Sequence, residues 1–289
     1  ETRFFFADSA PDKRAKAIDR LLDSPDYAAY FAQKWAGILR NKRTKDTYQR
    51  GTYAFHDWLR TGLLENRPYN TIVTDLLTAS GEIGQNPAVG WFRAVKDQKE
   101  QMQDIAQVFL GIRMQCAQCH HHPYEQWSQN DYFAFTAFFT TLQKKSIPKL
   151  PEEDLYFHNR KPARMEHPGT KELLKPRLLG ATAPLEIPAT QDPRVPLAEW
   201  MRAKENPYFA RVLANRYWKH FFGRGLVEPE DDIRPTNPAT HPELLEELAA
   251  SFVASGYDLK QLVRVITASR TYQRHADPIE GNAADEQHY

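Results

Sequence analysis

Apolar residues recur at helical spacing over most of this chain, with one long interruption that has no period. Residues 8–22 predict a short first helix. Ser24 then supplies an N-cap and Pro25 a first helical residue, followed by Tyr27, Phe31, Trp35 and Ile38 on one face. Segments 52–64 and 68–78 continue the pattern, the second with Ile72, Val73, Leu76 and Leu77 inward. Residues 81–90 carry Gly-Glu-Ile-Gly and Asn-Pro and read as a loop. Over 97–113, Met102, Ile105, Ala106, Phe109 and Arg113 mark one face of an amphipathic helix. After Pro123, Asn130 is placed to cap an aromatic helix that carries Tyr132, Phe133, Phe135, Phe138 and Phe139.

From Lys144 to Pro196 there are nine prolines, and the main apolar pairs are Leu173-Leu174 and Leu178-Leu179. A structureless stretch of this length is unusual inside one domain. It marks either a domain boundary or a segment draped over the surface. Helices resume at Asn206-Pro207, where Phe209, Leu213, Tyr217 and His220 form one stripe ended by Gly223-Arg224-Gly225. A polar loop over 228–237 follows. Thr240 or His241 begins the next helix, with Leu244, Leu245, Leu248 and Phe252 inward and Gly256 as its stop. Asp258 caps a last helix with Leu259, Leu262, Val263 and Ile266 inward, and a polar tail starts at Asp277.

The pattern predicts a mostly α, multi-helix protein with a long Pro-rich irregular connector that has room for short β-strands. Its parts are residues 1–143, a connector over 144–196, a second helical region over 197–276, and the tail 277–289. Hydrophobic residues make up 41% and aromatics 12% of the 289 residues, enough for a dense core. With 38 basic and 37 acidic residues the formal charge is +1, which argues against a nucleic-acid footprint or a basic membrane patch. No apolar run approaches the length of a membrane span.

The chemistry of the chain sits in one pentapeptide. Its two cysteines both fall in Cys116-Ala117-Gln118-Cys119-His120, the C-x-x-C-H spacing of c-type haem attachment. Two thiols one helical turn apart can add to the two vinyl groups of a haem, and the histidine that follows then lies under the iron as proximal ligand. Three other readings compete. Zinc ligation by Cys116, Cys119 and His120 or His122 lacks a second pair of cysteines. A thiol–disulfide pair lacks the βαβ context such motifs use. A short structural disulfide is the plainest alternative.

Haem attachment leaves the second axial position to be filled. His220, on the apolar stripe beside Tyr217 and Trp218, is the first distal candidate, and His167 in Glu166-His167-Pro168 the second. An equally good account of His220 is a core histidine satisfied by a hydrogen bond. His122 lies too near His120 to swing across the ring and reads as a residue at the edge of the haem pocket. Met114 and Met102 lie on or beside the helix that leads into the motif. Glu228, Glu230, Asp231 and Asp232 form an acidic cluster without EF-hand spacing, so a solvated loop paired with Arg224 and Arg234 is preferred to a calcium site. Ser255 and Ser269 lack a nucleophile-elbow context.

Residues 109–120, continuing through His122-Pro123-Tyr124-Glu125-Gln126-Trp127, resemble the second planctomycete cytochrome-type domain. The segments Asn206-Pro207-Tyr208-Phe209-Ala210 and 215–227, with Pro242-Glu243-Leu244-Leu245 and Ser269-Arg270-Thr271-Tyr272-Gln273, resemble the planctomycete-specific domain that usually follows it. The resemblance implies a two-part architecture, export to the periplasm or beyond, and haem c on Cys116, Cys119 and His120. Export in turn implies a processed or partial chain, since residues 1–6 lack a signal-peptide pattern. The expected function is electron transfer by a c-type cytochrome with one covalent haem, working with a redox partner or a larger extracytoplasmic assembly. The alternatives are a haem enzyme with an open distal site, or a structural or partner-binding module in which haem is a staple or absent.

Overall fold

The computed structural model describes residues 2–43, 49–123, 125–147, 154–275 and 281. The first region holds α1 (Thr2–Ala7), α2 (Lys13–Leu22), α3 (Pro25–Ile38), α4 (Gln49–Leu64), α5 (Tyr69–Leu77), β1 (Gly81–Glu82), α6 (Gln98–Leu110) and α7 (Gln129–Thr136). A 3₁₀ segment spans Pro87–Arg93 and shorter ones lie at Gln115–Gln118 and Ala137–Phe139. The connector carries β2 (Leu142–Ser146), β3 (Asp154–His158), β4 (Met165–Glu166) and β5 (Leu173–Leu174). The second region is α8 (Arg194–Arg202), α9 (Phe209–Phe222), α10 (Pro242–Ala254) and α11 (Leu259–Ala268). The mostly α architecture with short strands is therefore as the sequence predicts.

Local chemistry explains most element ends. Ser24 Oγ accepts the Tyr27 N–H at 3.4 Å and Pro25 opens α3, whose Tyr27, Phe31 and Trp35 are buried. Asp258 caps α11 by accepting the Gln261 N–H at 2.9 Å. Asn206 Oδ1 takes the Tyr208 and Phe209 N–H groups at 3.0 Å each, which starts α9, and Gly223 ends it at φ 79°. A left-handed residue closes a helix at little cost only when it has no Cβ.

Four expectations shift. The helix predicted over 8–22 starts only at Lys13, as α2, and a separate helix, α1, precedes the predicted segment over Thr2–Ala7. The loop over 81–90 contains β1 and runs into the 3₁₀ segment, which buries Val89, Trp91 and Phe92. The aromatic helix is capped by Ser128, not Asn130: Ser128 Oγ accepts the Asp131 N–H, and the Asp131 carboxylate accepts the Ser128 N–H. This reciprocal box satisfies two otherwise orphaned donors. Finally, α8 begins inside the stretch read as connector. Pro193 precedes it and Pro196 falls in its first turn, where a missing N–H costs no intrahelical bond. The tail expected from Asp277 lies, Gly281 apart, outside the described residues.

The two helical regions share one core. A continuous cluster of buried side chains runs from Leu22 to Ile266. Tyr69 of α5 stacks on Phe209 of α9 at 5.0 Å between centroids, and Trp35 of α3 donates its Nε1–H to the Tyr217 hydroxyl at 3.4 Å. The Tyr69 N–H meets the Tyr257 carbonyl at 3.0 Å. Between the regions the connector is draped, not structureless. β1, β3 and β2 form an antiparallel sheet in that order, with Leu142 opposite His158 and Ser146 opposite Asp154. β4 and β5 form a second hairpin. Beyond it, Arg177 ties the chain to α7 through its N–H on the Ala134 carbonyl at 3.2 Å and its guanidinium on Asp131 at 2.8 Å.

Candidate haem-attachment site

The pentapeptide follows the C-terminal end of α6. Asp97 caps the start of that helix by accepting the Lys99 and Glu100 N–H groups. Gly111 stops it at φ 68°, so the helix ends three residues before the end of the predicted 97–113 segment. A Cβ at Gly111 would lie 3.0 Å from Val212 and 3.1 Å from Ile233, so the turn is also a point of close approach to the second region. Four residues after Gly111 the chain enters the 3₁₀ turn Gln115–Gln118. Met114 and Ala117 point inward and are fully buried, while Cys116, Cys119 and His120 are exposed. The Ala117 N–H bonds to the Met114 carbonyl at 3.0 Å and the Cys119 N–H to the Cys116 carbonyl at 3.3 Å. One tight turn thus presents both thiols outward, and neither is in a disulfide.

A backbone bond sets the tautomer of His120. Its Nδ1 lies 2.6 Å from the His121 carbonyl oxygen. A carbonyl only accepts, so Nδ1 carries the proton, and in the neutral ring Nε2 holds the free lone pair. Metal-bound histidines use the same device, donating the other ring N–H to a carbonyl to fix the tautomer. His121 is exposed.

A polar net beneath the turn fixes its position. The Tyr132 hydroxyl of α7 donates to Gln118 Oε1 at 3.3 Å, and Gln103 of α6 donates to the Tyr132 hydroxyl at 2.7 Å. Gln129 donates to the Gln118 carbonyl at 2.9 Å. Burial pushes the Tyr132 phenol up to about 12, which keeps it a donor at any physiological pH. The other rings of α7 do not wall an open pocket. Phe133 and Phe135 are buried in the core, as are Phe138 and Phe139 after it. Their contribution is a rigid base under the motif.

The second region clamps this segment from the other side. Asp231 accepts from Gln107 and from Arg113, and the Ile233 N–H bonds the Gly111 carbonyl at 2.8 Å. Arg216 of α9 donates to the Val108 carbonyl at 2.7 Å. Burial opposes charge on Asp231, but Gln107 and the Arg113 guanidinium outweigh it and hold the carboxyl below its ordinary value. The acidic loop is therefore not simply solvated. Lys219 bridges Glu228 at 2.9 Å and Glu230 at 2.6 Å, and Arg234 pairs with Asp232 at 3.2 Å. Each of these four carboxylates already has a donor partner, which leaves no free acidic cage for calcium. The clamp was illegible in the sequence because its partners are more than 100 residues apart.

His122 belongs to the clamp. Its N–H meets the Trp127 carbonyl at 2.9 Å, and its half-buried ring lies near Arg234 and Asp232 of the second region and bonds the Arg113 carbonyl. Burial, then the positive Arg234, lowers its pKa. The two distal candidates are placed elsewhere. The ring neighbours of His220 are Tyr30 and Phe31 of α3 and Phe221, with Nε2 3.4 Å from the Tyr30 hydroxyl. His167 is buried beside Phe133, and its Nδ1 accepts the Gly169 and Thr170 N–H groups at 3.2 and 3.1 Å. Accepting both puts the proton of a neutral His167 on Nε2, the nitrogen a ligand would need bare. Among the described residues no three His, Cys, Asp or Glu side chains come together as a metal-binding group, so zinc finds no closed ligand set.

The residues fit covalent haem on three observations: two unpaired exposed thiols on one turn, a histidine with its tautomer fixed directly after them, and a segment held from both sides. Among the described residues no helix is long and apolar enough to cross a membrane. Neither the curated proteins nor the solved structures hold a match to the chain. Residues 1–144 match the family model PSCyt2, a protein of unknown function (DUF1549), and residues 193–289 match PSD1, a protein of unknown function (DUF1553). The chain belongs with the proteins in which a PSCyt2 region, cytochrome-like by name, is followed by a PSD1 region.

Proposed function

We propose that this protein is an exported c-type cytochrome that carries one haem on Cys116 and Cys119, with His120 as proximal ligand, and transfers electrons to or from a partner protein. The observation that carries the reading is the outward turn of two unpaired thiols followed by a histidine whose Nδ1–H is held by the His121 carbonyl at 2.6 Å. Cys116 and Cys119 would hold the haem by adding one S–H each across a vinyl double bond, which would consume no oxidant and require both cysteines reduced. His120 Nε2 would hold the iron through its free lone pair. Gln129 holds the Gln118 peptide and Tyr132 its side chain, which keeps the turn between the two thiols in place. When bound, the haem supplies a one-electron couple tuned by its axial ligands and exposure. The exposure of Cys116, Cys119 and His120 supports exchange with a partner that docks on this face.

A second reading, a haem enzyme with an open distal position, is favoured by one observation. His220 and His167, the distal candidates in the sequence, are engaged with α3 and with the connector's own backbone. The test is the absorption spectrum of protein matured in cells with a haem-attachment system. The reading predicts a Soret band that resists acid–acetone extraction and disappears in Cys116→Ser/Cys119→Ser. No Soret band overturns both readings and leaves a structural or partner-binding module. A low-spin, six-coordinate spectrum supports electron transfer, and a high-spin spectrum that responds to cyanide supports the enzyme.

A further inference from the structure

On the first region, apart from the thiols, lies a cavity of about 740 Å³. This is within the range of small-molecule sites. It is bounded by the C-terminal end of α3, the 3₁₀ segment Pro87–Arg93, the start of α6, and the β2–β3 hairpin. Five cations line it: Arg40, Lys42, Arg93, Lys96 and Lys144, with no aspartate or glutamate among the lining residues described. A chain of net charge +1 does not produce such a concentration by composition alone.

Arg40 and Lys144 are matched by carboxylates outside the wall. Arg40 pairs with Asp104, and Lys144 with Asp154 at 2.7 Å. The ammonium groups of Lys42 and Lys96 have no partner among the described residues. Nearby Glu100 accepts the Lys96 backbone N–H, and Asp97 caps α6, so these carboxylates serve the backbone. Arg93 is packed against Gly51, where a Cβ would come within 2.5 Å of its Nη1.

A second observation is independent of charge. Gln101 lines the cavity, is 5% exposed, and donates its Nε2–H to the Val95 carbonyl at 3.2 Å. That bond fixes which end of the amide is which, because a carbonyl cannot donate. Its Oε1 is then a buried acceptor with no partner among the described residues. A buried acceptor without a donor is costly, and in native folds such an atom calls for an explanation. A cation-lined wall with one unmet acceptor suits a ligand that carries several negative charges and at least one hydroxyl donor.

We propose that this cavity is a binding site for a small hydroxylated polyanion, such as a hydroxy acid or an acidic sugar. Lys42 and Lys96 take its oxyanion groups, and Gln101 Oε1 accepts its hydroxyl. The proposal is independent of haem attachment.

The test is titration calorimetry on the full chain at low ionic strength, with citrate and with tricarballylate, the same tricarboxylate without the hydroxyl. Citrate is expected to bind saturably, several-fold more tightly than tricarballylate, and more weakly as salt is added. Lys42→Glu/Lys96→Glu should weaken citrate at least tenfold. Lys161→Glu/Lys204→Glu, an equal charge change at exposed positions away from the cavity, should leave it unchanged. Equal binding of the two probes overturns the role of Gln101. Equal loss in both double variants, or no saturable binding of citrate, overturns the site.

Discussion

The exposed turn at Cys116–His120 and the buried seam beneath it are built from opposite materials. The turn shows solvent two thiols and an imidazole and contributes little to the core. The seam, where α6 meets α9 and the acidic loop, joins Gly111, Val212 and Ile233 in close contact and pairs Asp231 with Gln107 and Arg113. The difference separates two tasks. Chemistry is placed where a large group has room to attach, and rigidity is supplied from a region that offers no thiol of its own. Substitutions should therefore sort into those that cost stability and those that cost attachment.

The largest stability effect is expected at the seam. Gly111→Val puts a β-branched residue at φ 68° and drives its side chain into Val212 and Ile233. Strain and overpacking each cost about 1–3 kcal/mol, so a loss of about 3 kcal/mol should appear in urea unfolding. A change under about 1 kcal/mol would mean that the two regions do not approach as described. Asp231→Ala should cost less, about 1–2 kcal/mol, because Arg113 and Asp231 are only partly buried and water can replace some of the pairing. The acid dependence sharpens this. The folded Asp231 carboxyl titrates below its ordinary value of 3.8, so its contribution is complete above that value and is lost as pH falls through the lower one. Wild type and Asp231→Asn should therefore differ at neutral pH, begin to draw together only as pH falls below 3.8, and converge below the lowered folded value.

Ser128→Ala should cost about 1 kcal/mol by removing the capping box that starts α7. The smallest stability effect belongs to the turn. Cys116→Ser and Cys119→Ser should change unfolding by less than about 0.5 kcal/mol, since both side chains are exposed, yet each should abolish two-point attachment. A large stability loss in the haem-free serine variants would break the division between the two parts.

What the sequence reveals follows the same division. The turn is local, five consecutive residues, and is read at sight. α3 and α11 are equally legible, because Ser24-Pro25 and Asp258 sit next to the helices they cap. The misread elements depend on distant partners. α8 hides behind Pro193 and Pro196, and what fixes it is Arg194, fully buried, paired with Asp192 at 2.6 Å and donating to the Leu77 and Ala79 carbonyls at 3.2 and 2.9 Å. The acidic loop reads as solvated because Lys219 and Arg113, its neutralising partners, lie outside it. His220 and His167 stand out as histidines in apolar settings, and only tertiary neighbours assign them to Tyr30 and to a backbone turn. Ser128 was within reach, since the Ser-x-x-Asp spacing to Asp131 is a capping signature.

The most direct test of the central claim is mass spectrometry of the peptide that contains Cys116 and Cys119, from protein purified from its native host. The account predicts one haem mass added to that peptide, with both cysteines consumed. An unmodified or disulfide-linked peptide would contradict it.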